Sequence, residues 1–362
     1  MLFKRFNMLP VYILLLASAG LLAACGASDT SGESTGSVQV LLTDGPTDEF
    51  DQVNVSVDSI QLLGEGPNVY LLTEPASFNL LDLRHCSALL AVNHDVPVGT
   101  YSKLRLDVSA IELVRLNPDG SVKQTIVPKL PSGRIDLNPQ GQFSVAAGDR
   151  LVIELDMDAE KSIHITTTGN DKYIFRPQVF VDVMSDASAS LIRLSGKALD
   201  VQDDHFQLCK MGTPADGNCI QVNIVVGTVV MSSEIMLASY ADVAEGDSVL
   251  VFGHLDTTAH AINAVRVFDD TIMLPMFRGD FSGVIAADAI DLRITKDAPG
   301  VVTNDVLPVQ PLSPAAIYDD QGNALNLNAI ADNVSAEVIG VLMPDAATPS
   351  EIRPGMIIIQ AP

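Results

Sequence analysis

The sequence predicts an all-β protein, with an N-terminal antiparallel β-sandwich followed by two tandem small OB-like β-barrels. Two observations predict this fold class. Over residues 37–185, short runs alternate apolar and polar residues, which is the period of a strand with one buried face. Beyond residue 186, strands that contain glycine recur at a constant spacing, as expected of two copies of one small domain.

The N-terminal strands are marked by alternation and separated by turn sequences. The alternating apolar sets are Val38/Val40/Leu42, Val53/Val55/Val57, Leu104/Leu106/Val108, Leu151/Ile153/Leu155 and Val179/Val181/Val183. Gly, Pro, Asn and Asp cluster between them, at 43–46, 64–67, 97–99, 117–120 and 147–149. Residues 83–92 alone have a weakly helical pattern. Many short strands with few helices predict a sandwich over 37–185.

The C-terminal part contains an internal repeat. Three landmarks recur 87 residues later: Gly196 as Gly283, Gly253 as Gly340 and Arg266 as Arg353 (283 − 196, 340 − 253 and 353 − 266). Glycine inside a strand marks a bend or bulge, and small closed barrels need such bends to turn their corners. We therefore predict barrels at 186–272 and 273–362, with two further sandwich domains as the alternative.

Three segments of the predicted sandwich resemble a known family. They are SVQVLLTDGP (37–46), VNVSVD (53–58) and PVGTYSKLRL (97–106), and they resemble the bacterial domain of unknown function 4382. The resemblance spans most of 37–185. The two repeats resemble the domain of unknown function 5666 on their glycine-bearing strands alone. These resemblances imply secreted or lipid-anchored β domains, and neither implies a reaction.

The first residues predict an exported, lipid-anchored protein. Lys4 and Arg5 precede an apolar run over 8–22, which is the layout of a secretory signal. The run ends in LAAC (22–25), which resembles the lipobox of bacterial lipoproteins. We expect residues 1–24 to be removed and Cys25 to be lipidated. The alternative is an ordinary signal peptide whose cysteine enters a disulfide.

The residues after the cysteine predict a tether and a location. Residues 25–36 are rich in Gly, Ser and Thr, the composition of a flexible linker. Gly26, rather than Asp, follows the cysteine and favours the outer membrane of the cell envelope. The membrane is therefore expected as a partner through the lipid anchor.

The net charge and the aromatic content limit the classes of partner that this protein can bind. Removal of residues 1–24 takes away Lys4 and Arg5, which lowers the basic count from 21 to 19 and the net charge from −24 to −26. Nucleic acid is excluded as a partner because phosphate binding needs a basic surface. Aromatic residues are 5% of the chain and Trp is absent, so a platform for stacking sugar rings is poorly supplied.

Three cysteines remain after the anchor. Cys209 and Cys219 flank a turn-rich segment, and an oxidising compartment allows them to form a disulfide. A zinc site is the alternative, although no histidine lies at a ligand spacing. Cys86 is then left over, either as a buried free thiol or paired with another chain.

Two acidic clusters are calcium candidates, since Ca²⁺ takes six to eight oxygen ligands. The first cluster is Asp44, Asp48, Glu49 and Asp51; the second is Glu154, Asp156 and Asp158, which alternation places on one strand face. The alternative is structural: the first would be a capped turn and the second a solvated strand face. No other cofactor is expected.

Motifs that would identify a zinc protease or a phosphate-binding loop are missing from the sequence. It contains no His-Glu-x-x-His and no Gly-Lys-Ser. We expect no enzyme, but a lipid-anchored envelope protein with a binding or structural role toward an unknown protein or glycan. The alternatives are a calcium-dependent adhesin or glycan-binding lipoprotein and, second, a carboxylate-based hydrolase.

Overall fold

The structure is a computed structural model. It describes residues 35–45, 49–83, 86–117, 119–139, 141–166, 172–184, 191–209, 219–232, 234–256, 258–269, 274–286, 288–298, 300–313, 315–319, 322–343 and 350–359. The expected signal segment and Cys25 lie outside these residues. Glu33–Pro362 form one compact unit, and its described part is nearly all β, as the sequence predicted.

The strands of the N-terminal part have short connections. They are β1 (Thr35–Gly45), β2 (Gln52–Gly64), β3 (Val69–Leu72), β4 (Ala76–Asn79), β5 (Ala88–Pro97), β6 (Gly99–Leu116), β7 (Val122–Ile126), β8 (Arg134–Leu137), β9 (Phe143–Val145), β10 (Arg150–Asp158), β11 (Ile163–Thr166), β12 (Lys172–Phe175) and β13 (Val179–Met184). A 3₁₀ turn at Leu80–Leu83 precedes β5, and a one-turn helix, α1 (Ala159–Ser162), follows β10.

These strands form the predicted sandwich. One sheet has the order β13-β10-β1-β5; the other has the order β3-β2-β6-β7, with β4 on β2 and with β8 and β9 on β6. The alternating apolar residues of β1 and β2 meet in a single core between the sheets. The central pair β1–β10 is parallel, whereas β5 and β13 pair antiparallel at its two sides. The sandwich was predicted to be antiparallel, and this parallel pair is an exception to that prediction. Side-chain alternation does not specify strand direction, so the sequence could not show it.

Two local expectations were wrong. The weakly helical stretch 83–92 contains the end of the 3₁₀ turn and the start of β5, because residues of β5 pair with β1 across the sheet. The tether was expected to reach residue 36, but β1 begins at Thr35. In both places tertiary strand pairing overrides a weak local pattern.

The C-terminal strands fall into two groups. The first group is β14 (Leu191–Leu199), β15 (His205–Cys209), β16 (Cys219–Met231), β17 (Leu237–Ala238), β18 (Ser248–Asp256) and β19 (Ala261–Phe268). The second is β20 (Met276–Ala286), β21 (Ala289–Lys296), β22 (Val306–Val309), β23 (Ala316–Asp319), β24 (Ser335–Met343) and β25 (Glu351–Ile359). Single 3₁₀ turns lie at Tyr240–Asp242 and Leu327–Ala329.

Each group closes into a five-stranded barrel within the described residues. The first barrel runs β15-β14-β18-β19-β16, and β15 pairs with β16 to close it. The second runs β22-β21-β20-β24-β25 and closes through β22 and β25. The predicted architecture is therefore confirmed. The predicted domain boundaries at 185/186 and 272/273 lie outside the described residues.

The two barrels repeat one topology. The predicted constant offset of 87 residues holds between β18 and β24 but is wrong for the other landmarks. Gly253 and Gly340 are equivalent, because each lies at a register shift where a Cβ would collide with a backbone oxygen of the next strand. From them, Val249 aligns with Ala336, which lie opposite Gly196 and Gly279 respectively. Gly196 therefore corresponds to Gly279, not to Gly283.

The last strand of each barrel shows the same drift. Gly253 lies opposite Ala264, and Gly340 lies opposite Pro354. This register places Arg266 level with Met356, so its match to Arg353 is wrong. Loops of different length between equivalent strands remove any constant spacing.

The strands that meet between domains are buried on both faces. In β18, Val249 and Val251 point into the first barrel, whereas Leu250 and Phe252 belong to the core shared with the sandwich. In β25, Ile357 points into the second barrel, and its neighbours Met356 and Ile358 join the shared core. The shared core therefore continues from the sandwich into contacts made by both barrels.

Candidate functional site

The predicted lipid attachment at Cys25 lies outside the described residues, whereas the other cysteines are described. Cys209 and Cys219 form a disulfide and lie opposite each other in the β15–β16 pairing that closes the first barrel. Cys86 is a free, buried cysteine. Burial raises the pKa of its thiol to about 12, so the group is neutral at physiological pH.

The first acidic cluster has structural partners wherever it is described. The side chain of Asp44 and the whole of Asp48 lie outside the described residues. Glu49 pairs with Arg115 at 3.3 Å. Asp51 accepts a hydrogen bond from the backbone N–H of Leu116 at 2.8 Å, which fixes the start of β2 against the end of β6. These contacts agree with the structural alternative for this loop.

The second acidic cluster lies along β10, but its members do not act as one group. Asp158 caps α1: its side chain accepts the backbone N–H of Lys161 at 2.9 Å and also pairs with the Lys161 ammonium. Burial alone would raise the pKa of Asp158, but the hydrogen bonds and charge of Lys161 outweigh it and lower that pKa. Among the described residues no group of three or more acidic, histidine or cysteine side chains could hold a metal ion.

Glu154 and Asp156 have a different environment from Asp158. Burial raises the pKa of Glu154, and the nearby charges of Asp182 and Asp156 raise it further. Burial and Asp158 likewise raise the pKa of Asp156. Asp182 could not be assigned to this cluster from the sequence, because only the β10–β13 register places it directly opposite Glu154.

A cleft lies where the sandwich meets both barrels, and we call it the junction cleft. Its volume is about 320 Å³. The sandwich contributes residues of β2, the 3₁₀ turn and the end of β6, and the barrels contribute Arg193 of β14 and residues around β20 and β21. The charged side chains among its described lining residues are Asp51, Asp82, Arg193, Arg278, Lys296 and Asp297.

The two arginines of the junction cleft have unequal partners. Arg278 donates to Glu337 at 2.6 Å and to the carbonyl of Leu81 at 3.0 Å, which ties β20 to β24 and to the sandwich. Arg193 has a looser pair, 3.4 Å from its Nη1 to the carboxylate of Asp82. Both side chains are nearly buried, with 10% exposure for Arg193 and 13% for Arg278.

The other two charged groups of the cleft belong to the second barrel, where Lys296 ends β21 and Asp297 begins the loop between β21 and β22. Lys296 donates to the carbonyl of Phe50 at 2.6 Å, a further link between the second barrel and the sandwich. Asp297 accepts hydrogen bonds from the backbone and hydroxyl of Thr303, which lower the pKa of its carboxyl. Asp297 is therefore ionised at neutral pH.

The junction cleft could not be predicted from the sequence. Its lining residues come from separate segments between positions 51 and 298, and no motif connects them. One signal was present: Arg278 directly follows the apolar run 274–277. A basic residue next to such a run can indicate a buried ion pair, but the sequence does not show which partner it meets.

Comparison with known proteins bears on the sandwich. Residues 35–177 match the family model described as a domain of unknown function, DUF4382. The matched residues run from the start of β1 past the end of β12, which supports the first of the two resemblances. No curated protein matches the chain significantly. No helix of the described residues is long and apolar enough to cross a membrane.

Proposed function

We propose that this chain is a lipid-anchored protein of the bacterial cell envelope with a non-enzymatic binding or scaffolding role. Cys25 carries the anchor, and residues 26–34 connect it to the DUF4382-matching sandwich. The sandwich and the two barrels act as one rigid body that presents its loops to an envelope partner. This proposal combines the lipobox-like sequence at 22–25 with the way the three domains pack.

The observation that carries the scaffolding role is the continuous apolar core between domains. Phe252 and Phe268 of the first barrel and Met356 of the second are fully buried in the same cluster as the core of the sandwich. Independent modules on flexible linkers bury little surface between them. Domains that share a core cannot move independently of one another. A scaffold requires such fixed positions between its parts.

A protein partner fits the described surface better than a glycan. Large aromatic side chains that are at least half exposed are Tyr70 on β3 and Phe180 on β13 within the described residues. These strands belong to different sheets of the sandwich. Sugar recognition usually uses aromatic rings as stacking platforms, so we assign the partner to the protein class.

The anchor is tested by fractionation of Cys25→Ser. We expect wild-type protein in the membrane pellet and Cys25→Ser in the soluble fraction, because two or more acyl chains are needed for stable anchoring. Ser31→Ala, in the tether, is the matched control and should stay in the pellet. Metabolic labelling with a radioactive fatty acid should mark the wild type and the control only. A Cys25→Ser protein that still sediments with membranes would show that the anchor proposal is wrong.

A further inference from the structure

We propose that the junction cleft binds a small zwitterion, of the class of a free α-amino acid or a short peptide with free termini. The proposal concerns residues of the folded body only, so it does not rest on the lipid anchor. It stands on the size of the cleft, on an under-used buried arginine and on the arrangement of opposite charges.

The size of the cleft suits a small ligand. Its volume of about 320 Å³ lies at the lower end of the range for ligand pockets, roughly 300–1,000 Å³. Ligand pockets also occur preferentially at domain interfaces, and this one is lined by the sandwich and both barrels. Leu81, Leu116, Leu274 and Met276 supply apolar surface, and Gln52, Asn79 and Asn117 supply amide groups.

Arg193 is the group that points to a carboxylate. Its side chain is nine-tenths buried, yet within the described residues its guanidinium has one charged neighbour, Asp82, at 3.4 Å. A guanidinium carries five N–H donors. Asp82 is itself shared, because it accepts from Asn79 at 3.0 Å. Arg193 therefore keeps donors for a carboxylate, which it can bind with two parallel hydrogen bonds.

The remaining charges decide between a simple anion and a zwitterion. Arg278 is neutralised by Glu337 at 2.6 Å. Arg193 and Lys296 then face three carboxylates, those of Asp51, Asp82 and Asp297. A purely anionic ligand would be repelled by these carboxylates, and a simple cation would leave the donors of Arg193 unused. A zwitterion satisfies both sets, with its carboxylate toward Arg193 and its ammonium toward the aspartates.

The same lining disfavours sugars. It contains no aromatic side chain among the described residues, so a pyranose ring would have no face to stack on. Glycan fragments are therefore expected not to bind. The ligand proposed for this cleft is thus different from the glycan that the sequence analysis gave as an alternative.

The test is calorimetric titration of the full-length protein in detergent. The probes are the free amino acids one at a time, the dipeptide alanyl-alanine, and its N-acetylated and C-amidated forms. We expect at least one free amino acid or the dipeptide to bind. Blocking either terminus should weaken binding by at least about ten-fold, the loss that corresponds to 1.4 kcal/mol.

Two variants locate the binding in the cleft. Ala298→Leu narrows the cleft without removing a charged group, and Arg193→Met removes the donors proposed for the carboxylate. Each should weaken binding about ten-fold or more. Arg134→Met, which breaks an exposed pair with Asp107 outside the cleft lining, is the matched control and should bind as wild type. Circular dichroism establishes that each variant is folded; if Arg193→Met is not, Ala298→Leu decides the question alone.

Three results would overturn the proposal. One is the absence of binding by every free amino acid and by the dipeptide. Another is equal binding of the blocked and free dipeptides, which would show that the cleft does not recognise both the ammonium and the carboxylate of the ligand. The third is unchanged binding in folded Ala298→Leu, which would place the ligand elsewhere.

Discussion

At the scale of single residues, the face of β10 that carries Glu154 and Asp156 shows how burial and like charge combine. Glu154 lies directly opposite Asp182 on β13, and Asp156 follows two residues later on the same face. Like charges directly opposite each other on a sheet are destabilising. This surface is therefore a local cost that the rest of the sandwich offsets.

Glu154→Gln should stabilise the protein in a pH-dependent way. Burial and the charge of Asp182 raise the pKa of Glu154, so the folded state holds this proton more tightly than the unfolded chain does. Below the ordinary glutamate pKa of about 4.3 the group is neutral in both states and carries no penalty. The penalty grows as the pH rises through the higher pKa of the folded state. We expect a gain of about 0.2–1 kcal/mol at neutral pH and almost none near the ordinary pKa.

Urea unfolding at these two pH values measures the effect. Glu112→Gln is the control, because Glu112 is exposed on β6 and lies opposite the uncharged Asn54. It should change stability little at either pH. An equal gain for Glu154→Gln at both pH values would contradict the ionisation argument.

At the scale of elements, the pair Arg278–Glu337 ties β20 to β24 inside the second barrel. The two residues lie opposite each other in the register, 2.6 Å apart, with exposures of 13% and 4%. Removal of one partner from a buried pair is strongly destabilising, because it leaves a buried charge without its counter-charge. Replacement of both partners by apolar residues can be nearly neutral.

We therefore expect Arg278→Met to lower the free energy of unfolding by about 3–5 kcal/mol. The double variant Arg278→Met/Glu337→Met should recover most of that loss. Arg134→Met is the comparison, because Arg134 pairs with Asp107 at 3.1 Å but is 64% exposed; it should cost at most about 1 kcal/mol. Chemical denaturation of the four proteins measures these differences, and a double variant no better than Arg278→Met would contradict the explanation.

At the scale of the whole molecule, the contact between the barrels is close enough to require a glycine. A Cβ at Gly355 in β25 would lie 2.6 Å from Cε1 and 2.7 Å from Cζ of Phe268 in the first barrel. Phe268 is fully buried, so its ring has no open space to move into. Gly355 does not have a positive φ, so close approach, rather than backbone conformation, is the reason for glycine here.

Gly355→Ala should lower the free energy of unfolding by about 1–3 kcal/mol, the usual cost of overpacking a core. The loss should appear with the same midpoint in probes of both barrels and the sandwich, because the contact belongs to the shared core. Gly66→Ala is the control, since a Cβ there would meet nothing within 4 Å. Separate transitions for the barrels in wild-type protein would contradict the single rigid body.

Little of the candidate site could be predicted from the sequence. Glu49, Asp51 and Asp158 were named as calcium candidates, yet each has a structural partner in Arg115, Leu116 or Lys161. A sequence lists carboxylates but does not show which donors reach them. The junction cleft was missed because its residues come from three domains, and their meeting depends on how those domains pack.

The sequence by itself determined the all-β class and favoured a sandwich followed by two barrels. Alternation and turn residues are local properties, and they require only that each strand bury one face. Only the tertiary structure decided the parallel β1–β10 pair, the register between the two barrels and the apolar faces that join the domains. Val249 and Leu250 are consecutive apolar residues, so the sequence indicates that β18 is buried on both faces. Which domain covers each face is decided by contacts between residues far apart in the chain.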